Sequence, residues 1–226
     1  MRKFHVISLF AAFMLLFTSC IGLSIDIRMN RDGSGKLTME YRISRAIDSI
    51  GALDGNKDMP AIPVSRSDWE RTINRVPGAK LTSYSSGQKG YDTITTVEIQ
   101  YDNTGALLAL LSFDNSNAAV KPVSNQNTLD LILNDGSLAS NYTNPDSSMY
   151  DASMIEFART MFADYNFSIS FSAQDNSTLT FTDKNGNEKL KPSSVEAVTG
   201  GRRVSMSIGI MDLIESKEEI CVRFRW

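Results

Sequence analysis

The chain has 226 residues, of which 26 are acidic and 23 are lysine or arginine, so its formal net charge is −3. A mildly acidic chain without a basic block is a poor candidate for nucleic-acid binding. The single histidine is His5, within the first twenty residues. The remaining chain therefore has no histidine for a Ser-His or Cys-His dyad or for a zinc site.

The first twenty residues have the layout of a bacterial lipoprotein export signal. One arginine and one lysine form a positive start, and an apolar run from Val6 to Phe17 follows. This run is shorter than the roughly 20 residues that span a bilayer. Ser19 is small and precedes Cys20, as a lipobox requires. The sequence predicts that residues 1–19 are a signal peptide and that Cys20 is lipidated, with acyl chains such as palmitate.

Phe17 departs from that layout, because lipoprotein signals usually carry leucine or another aliphatic residue at this position. An ordinary cleaved signal and an uncleaved anchor helix are therefore the alternatives. Acyl chains on Cys20 would hold the protein stably on a membrane. We accordingly expect a protein of the cell envelope, lipid-anchored to a membrane surface that faces the periplasm or the exterior.

Alternating apolar and polar residues predict β-strands along most of the remaining chain. Three hairpins are predicted, and they pair Leu23–Met29 with Leu37–Ile43, Ala79–Ser86 with Tyr91–Asp102, and Asn166–Ala173 with Ser177–Thr182. Further single strands are predicted at Leu129–Leu133, Val204–Ile210 and Ile220–Trp226.

Helices are predicted where apolar residues recur three and four positions apart. Ser67-Asp68-Trp69-Glu70 has the pattern of a capping box, which predicts a helix start at Ser67, and Pro77-Gly78 ends that helix. Three other segments show helical spacing, namely Arg45–Leu53, Thr104–Phe113 and about Asp146–Tyr165.

Strands and helices mix without a strict βαβ rhythm, which favours an antiparallel sheet. The predicted fold class is α+β: a mostly antiparallel sheet built from hairpins, with several helices packed on one face. Residues 20–226 are predicted to form a single extracytoplasmic domain, since no segment has the composition of a linker.

Two predicted helices carry more apolar residues than one packing stripe requires. A pocket between these helices and the sheet would suit an acyl chain or another apolar ligand. The residues predicted to line such a pocket are Leu107, Leu108, Leu111, Met154, Phe157 and Met161. The alternative is that these side chains only fill the core of the domain.

The sequence contains few motifs that are typical of catalytic or metal-binding sites. The turns around Gly33 and Gly186 lack the ligand spacing of an EF-hand loop and are predicted to be hairpin turns. If Cys20 is lipidated, Cys221 is a lone thiol that forms neither an internal disulfide nor a metal cluster. We therefore expect a protein that is not an enzyme, with no catalytic residues, no metal and no cofactor.

The start of the domain resembles that of the LppM-like bacterial lipoproteins. Cys20, the strand Ser24–Asn30, the turn Asp32-Gly33-Ser34-Gly35 and the strand Lys36–Ile43 carry the resemblance, and Tyr165–Phe181 is similar in outline. The resemblance implies an α+β domain at the cell envelope with an apolar cavity for lipid or glycolipid, and it implies no catalytic residues. Members usually end in a transmembrane helix, which this sequence does not show after residue 20.

The predicted function is that of a membrane-anchored lipoprotein that acts by binding an envelope protein partner, in envelope assembly or in surface interaction, without catalysis. The alternative function is a lipid or apolar-ligand binding or transfer module with a pocket between helices and sheet.

Overall fold

A large mixed β-sheet forms the framework of the domain. The computed structural model describes residues 21–44, 65–111, 123–125, 128–134, 156, 159, 160 and 162–226. The strands are β1 (Ile21–Met29), β2 (Gly35–Ser44), β3 (Ala79–Lys89), β4 (Asp92–Tyr101), β5 (Val123–Asn125), β6 (Thr128–Asn134), β7 (Asn166–Thr182), β8 (Glu188–Lys189), β9 (Val195–Val198), β10 (Gly200–Gly209) and β11 (Ile220–Arg225). The described helices are α1 (Arg66–Ile73), α2 (Thr104–Leu111) and α3 (Ile210–Glu215).

The strand order is β3-β4-β2-β1-β7-β11-β6-β5, and β10 lies between β7 and β9. The predicted hairpins of β1 with β2 and of β3 with β4 are confirmed, and both pairs are antiparallel. The pair of β1 with β7 is parallel, so the sheet is mixed. A mostly antiparallel sheet is therefore the correct part of the predicted fold class.

The predicted hairpin between Asn166–Ala173 and Ser177–Thr182 is wrong. Both segments belong to the single strand β7, which is 17 residues long. Its first half pairs with β1, its second half pairs with β11 and β8, and β10 pairs with both halves. The register against β10 shifts between Gly201 and Arg203, where the partner on β7 changes from Ser177 to Ser172. The polar residues between the two halves therefore form a bulge in one strand instead of a reversing turn.

The prediction of several helices packed on one face is not supported, because the helices described in full are α1, α2 and the six-residue α3. The predicted helix Arg45–Leu53 lies outside the described residues. So does most of Asp146–Tyr165, of which Glu156, Arg159, Thr160 and Phe162 are described and helical. Strands supply most of the core instead, since alternate residues of the sheet are buried on one face.

Helix α1 begins earlier than predicted. Ser65, not Ser67, is the N-cap: its Oγ accepts a hydrogen bond from the backbone N–H of Asp68. The Asp68 carboxylate accepts one in return from the backbone N–H of Ser65 at 3.2 Å. Aspartate at the N3 position completes this capping box in place of the usual glutamate. Two overlapping Ser-x-x-acid patterns occur in the sequence, and the helix uses the first.

The inner face of the sheet forms one apolar core, to which α1 and α2 contribute Trp69, Ile73, Leu107 and Leu111. Phe171 of β7 is fully buried, and its ring centroid lies 5.4 Å from that of Phe224. Phe224 pairs with Leu179 of β7. Leu179 follows Phe171 by eight residues, so the two would be about 26 Å apart if β7 were straight. The ring contact therefore shows that β7 bends at its bulge and brings the apolar faces of its two halves together.

A close backbone approach in the β1–β2 hairpin makes Gly35 sensitive to substitution. A Cβ atom at this position would lie 2.0 Å from the carbonyl oxygen of Arg28 and 2.4 Å from the hydroxyl of Tyr101. The hydroxyl of Tyr101 itself donates to that carbonyl at 2.9 Å, so three groups meet at one point.

We expect Gly35→Ala to lower the free energy of unfolding by about 3 kcal/mol, near the upper end of overpacking costs. Gly87→Ala is the matched control, because it also lies in a strand but nothing lies within 4 Å of its added Cβ. Urea denaturation of both variants measures the difference. An equal effect of the two substitutions would contradict the close approach at Gly35.

Candidate functional site: a polar trough on the outer face of the sheet

Two rows of serines lie on the face of the sheet that points away from the core. In the first row, Ser24 of β1 pairs with Ser168 of β7, which pairs with Ser207 of β10. In the second row, Ser170 of β7 pairs with Ser205 of β10. These side chains alternate with buried apolar residues along each strand, which places them all on the outer face.

The serine rows form the floor of a trough. Serine side chains are short, and longer charged side chains stand on both sides: Glu40 and Arg42 on β2, and Glu196 on β9. We call this surface the polar trough and define it by the five serines and these three charged residues. Five strands lie side by side from β2 to β9. Because neighbouring strands are about 4.8 Å apart, the trough is about 19 Å wide.

The trough has two parts that are continuous. A groove of about 390 Å³ lies over β2, β1 and the start of β7, and a groove of about 570 Å³ lies over β7, β10 and β9. Both are lined by Ser24 and Ser168. A single extended partner can therefore contact both parts.

Asp26 fixes the floor beside the second serine row. Its carboxylate accepts a hydrogen bond from the hydroxyl of Ser170 at 2.6 Å and one from Nε of Arg28 at 3.0 Å. Nη2 of Arg203 lies 3.1 Å from the same carboxylate and donates to the Ser170 hydroxyl at 2.9 Å. Asp26 is only 15% exposed, and charge-assisted hydrogen bonds of this kind hold side chains in one geometry. The floor is thus organised before any ligand arrives.

The end of the trough near the start of β1 depends on a glycine. The ring of Tyr165 lies so close to Gly22 that an added Cβ would be 2.8 Å from its Cδ1 atom. The hydroxyl of Tyr165 donates to the carboxylate of Asp92 at 3.1 Å. Asp92 and Asp164 line this end together with Arg42, so the end carries more negative than positive charge.

The chemistry that these residues offer is hydrogen bonding. Each serine hydroxyl both donates and accepts, and the arginines and carboxylates add charged donors and acceptors. Within the residues that the structure describes, no group of three or more His, Cys, Asp and Glu side chains is placed to hold a metal ion. The trough is suited to hold a polar partner.

The predicted apolar pocket residues are placed only in part. Leu107 and Leu111 of α2 are buried in the core, and Leu108 is partly buried against it. The other three, Met154, Phe157 and Met161, lie outside the described residues, and so does Cys20. The pocket and the lipidation both stay predictions.

Cys221 lies on β11 and is 2% exposed. Burial, with a smaller contribution from the charge of neighbouring Glu219, raises the pKa of its thiol to about 11. A thiol with so high a pKa carries almost no thiolate at neutral pH and is a poor nucleophile.

The sequence did not predict the polar trough, because serines at alternate positions of a strand are typical of an ordinary solvent-exposed face. One signal was present: β7 carries serine at positions 168, 170 and 172, and β10 carries serine at 205 and 207. Runs of the smallest polar side chain on neighbouring strands produce a depression, but only if those strands pair.

No helix among the described residues is both long enough and apolar enough to cross a membrane. Comparison with solved structures gives a likeness to the folded domain of the LppM protein of Mycobacterium tuberculosis, determined by NMR. The identity is 9% over 92% of this chain and 91% of that chain, with a TM-score of 0.42. A likeness at this TM-score supports no conclusion about residues or activity. Neither protein-family models nor curated protein sequences gave a match.

Proposed function

We propose that this chain is a membrane-anchored bacterial lipoprotein of the cell envelope that acts by binding a protein partner and catalyses no reaction. The polar trough is the proposed contact surface. The observation that carries this proposal is the continuity of the two grooves over an ordered floor of serine hydroxyls, from Glu40 on β2 to Glu196 on β9.

The dimensions and the charge of the trough favour an extended polar segment of a partner. At about 3.3 Å per residue, a width of about 19 Å takes about six residues of extended chain. The floor offers hydroxyls that donate and accept, which suits backbone amides and carbonyls as well as polar side chains. Because Glu40, Arg42, Glu196 and Arg203 carry both signs of charge, the partner segment is expected to be polar without a strong net charge.

The position of the trough supports action at a membrane surface. Strand β1 begins at Ile21, directly after the predicted lipidation site Cys20. Ser24 of the trough is four residues from that cysteine, a distance of about 13 Å in an extended strand. A partner held in the trough would therefore lie close to the membrane.

Site-specific photo-crosslinking in the native envelope tests the proposal. We expect a photoreactive residue at Ser168, in the middle of the trough, to give one discrete protein adduct. Ser85 is the matched control, because it is an exposed serine on the same face of the sheet. It pairs with Thr96, Thr96 pairs with Glu40, and Glu40 pairs with Ser24. Ser85 therefore lies in the same row as Ser24, three strands away.

A variant that fills the trough completes the test. Ser207→Trp should abolish the adduct at position 168 while the melting temperature stays unchanged. Identical adducts at positions 168 and 85, or an adduct at 168 that survives Ser207→Trp, would reject the trough as the binding surface.

A further inference from the structure

We propose that the tip of the β3–β4 hairpin, Lys89-Gly90-Tyr91, is a second membrane contact, with Tyr91 at the lipid–water interface of the bilayer that holds the anchor. This inference rests on the lipid anchor at Cys20 that the proposed function assumes. It adds a lipid-contacting site and an orientation of the domain on the membrane.

The first step is the short connection between anchor and sheet. Strand β1 begins at Ile21, and consecutive Cα atoms are 3.8 Å apart. No flexible linker separates the lipidated cysteine from the first strand. The end of the sheet at which β1 begins is consequently held at the membrane, and the domain cannot tumble freely above it.

The second step is the register of the neighbouring strands. Ile21 pairs with Ile43, Ile43 pairs with Thr93, and Thr93 pairs with Gln88. These four residues therefore mark one level across β1, β2, β4 and β3. The β3–β4 hairpin continues past this level in the direction of the anchor.

The third step is how far the hairpin continues. Lys89 pairs with Asp92, and Gly90 and Tyr91 form the two-residue turn between them. The turn comes about two residues after this level. Because a β-strand rises about 3.3 Å per residue, the turn lies about 5–7 Å beyond Ile21. By contrast, the β1–β2 turn at Arg31 lies at the other end of β1, about 26 Å or more from the anchor.

The fourth step is the chemistry of the tip. Tyr91 is 59% exposed, and it is one of three exposed large apolar or aromatic side chains among the described residues, with Leu190 and Val198. Gly90 has a φ of 64°, the conformation that a two-residue hairpin turn requires, so the turn holds Tyr91 at the end of a regular ladder.

The turn is open on the side of Gly90, since none of the described atoms lies within 4 Å of a Cβ built there. Tyrosine is enriched at membrane–water interfaces, where its ring meets the acyl boundary and its hydroxyl stays hydrated. Lys89, which precedes the turn, is also exposed, and an ammonium is attracted to anionic headgroups. Both residues therefore have the chemistry of an interfacial contact.

Depth-dependent fluorescence quenching tests this arrangement on the full-length lipidated protein. The protein is reconstituted in vesicles of phosphatidylethanolamine and phosphatidylglycerol that contain a spin-labelled lipid. A fluorophore is attached to Tyr91→Cys in one sample and to Arg31→Cys in the other. Cys221 is 2% exposed and does not compete for the label, and the thiol of Cys20 carries the lipid.

We expect quenching at position 91 to exceed quenching at position 31 severalfold. Protein that floats with the vesicles but shows no more quenching at 91 than at 31 overturns the second contact and leaves the anchor intact. Protein that does not float with the vesicles at all overturns the anchor, and the membrane contact of the tip falls with it. Flotation and quenching thus separate the failure of this inference from the failure of the proposed function.

Discussion

Cys20→Ala is expected to move the protein from the washed membrane fraction to the soluble fraction of the envelope. The reason is that the predicted acyl chains on this residue would supply the membrane affinity, at about 0.8 kcal/mol for each buried CH₂ group. The elements that the structure describes all begin at or after Ile21, so the released domain should keep its β-sheet. Fractionation followed by immunoblotting measures the change, and circular dichroism of the released protein checks the fold.

The chain offers a matched control for this experiment. It contains two cysteines, and Cys221→Ala removes the buried one without touching the predicted signal, so this variant should stay in the membrane fraction. Full retention of Cys20→Ala would show that residues 1–19 act as an uncleaved anchor helix, the alternative that Phe17 leaves open. A wild-type protein found in the soluble fraction would instead indicate an ordinary cleaved signal.

Phe171→Ala is expected to lower the free energy of unfolding by about 3–5 kcal/mol, as truncation of a buried phenylalanine does. Phe171 is fully buried, and its ring lies 5.4 Å from Phe224 and 5.2 Å from Trp226. Removing the ring would leave a cavity at the place where β7 bends and the two halves of the sheet meet. A loss of this size is a large part of the 5–15 kcal/mol that stabilises a typical domain.

Chemical denaturation followed by circular dichroism measures this effect, because fluorescence of Trp226 would report the lost ring contact as well as unfolding. Tyr91→Ala is the control: it also removes an aromatic ring, but from an exposed turn, and should change stability by less than about 0.5 kcal/mol. A loss below about 1 kcal/mol for Phe171→Ala would mean that the bend in β7 is not packed as the structure shows.

Local patterns in the sequence predicted much of the secondary structure. Alternation of period two located β1, β2, β3, β4, β6, β10 and β11 to within a few residues, because most of these strands have one face that is more buried than the other. Helix α1 was also predicted, although its capping box begins at Ser65 and not at Ser67. Each of these features depends on residues close together in the chain.

The error in β7 shows where local patterns fail. The polar residues Gln174, Asp175 and Asn176 have the composition of a turn, and a hairpin was the natural prediction. Whether such a segment turns or bulges depends on what lies beside it. Here β10 runs alongside both halves, with its register shift at the same place, and the ladder on each side keeps the chain in one strand.

The sequence by itself indicated most of the long strands, the apolar face of those strands, and where a lipid anchor would be attached. Only the tertiary structure decided that β1 pairs in parallel with β7 and that β10 joins β7 on its other side. The polar trough depends on that pairing, since its serines come from three strands that are far apart in the chain. A period of two specifies the face on which a side chain lies but not the strand beside it, and the choice of neighbour is made when all the apolar faces are buried together.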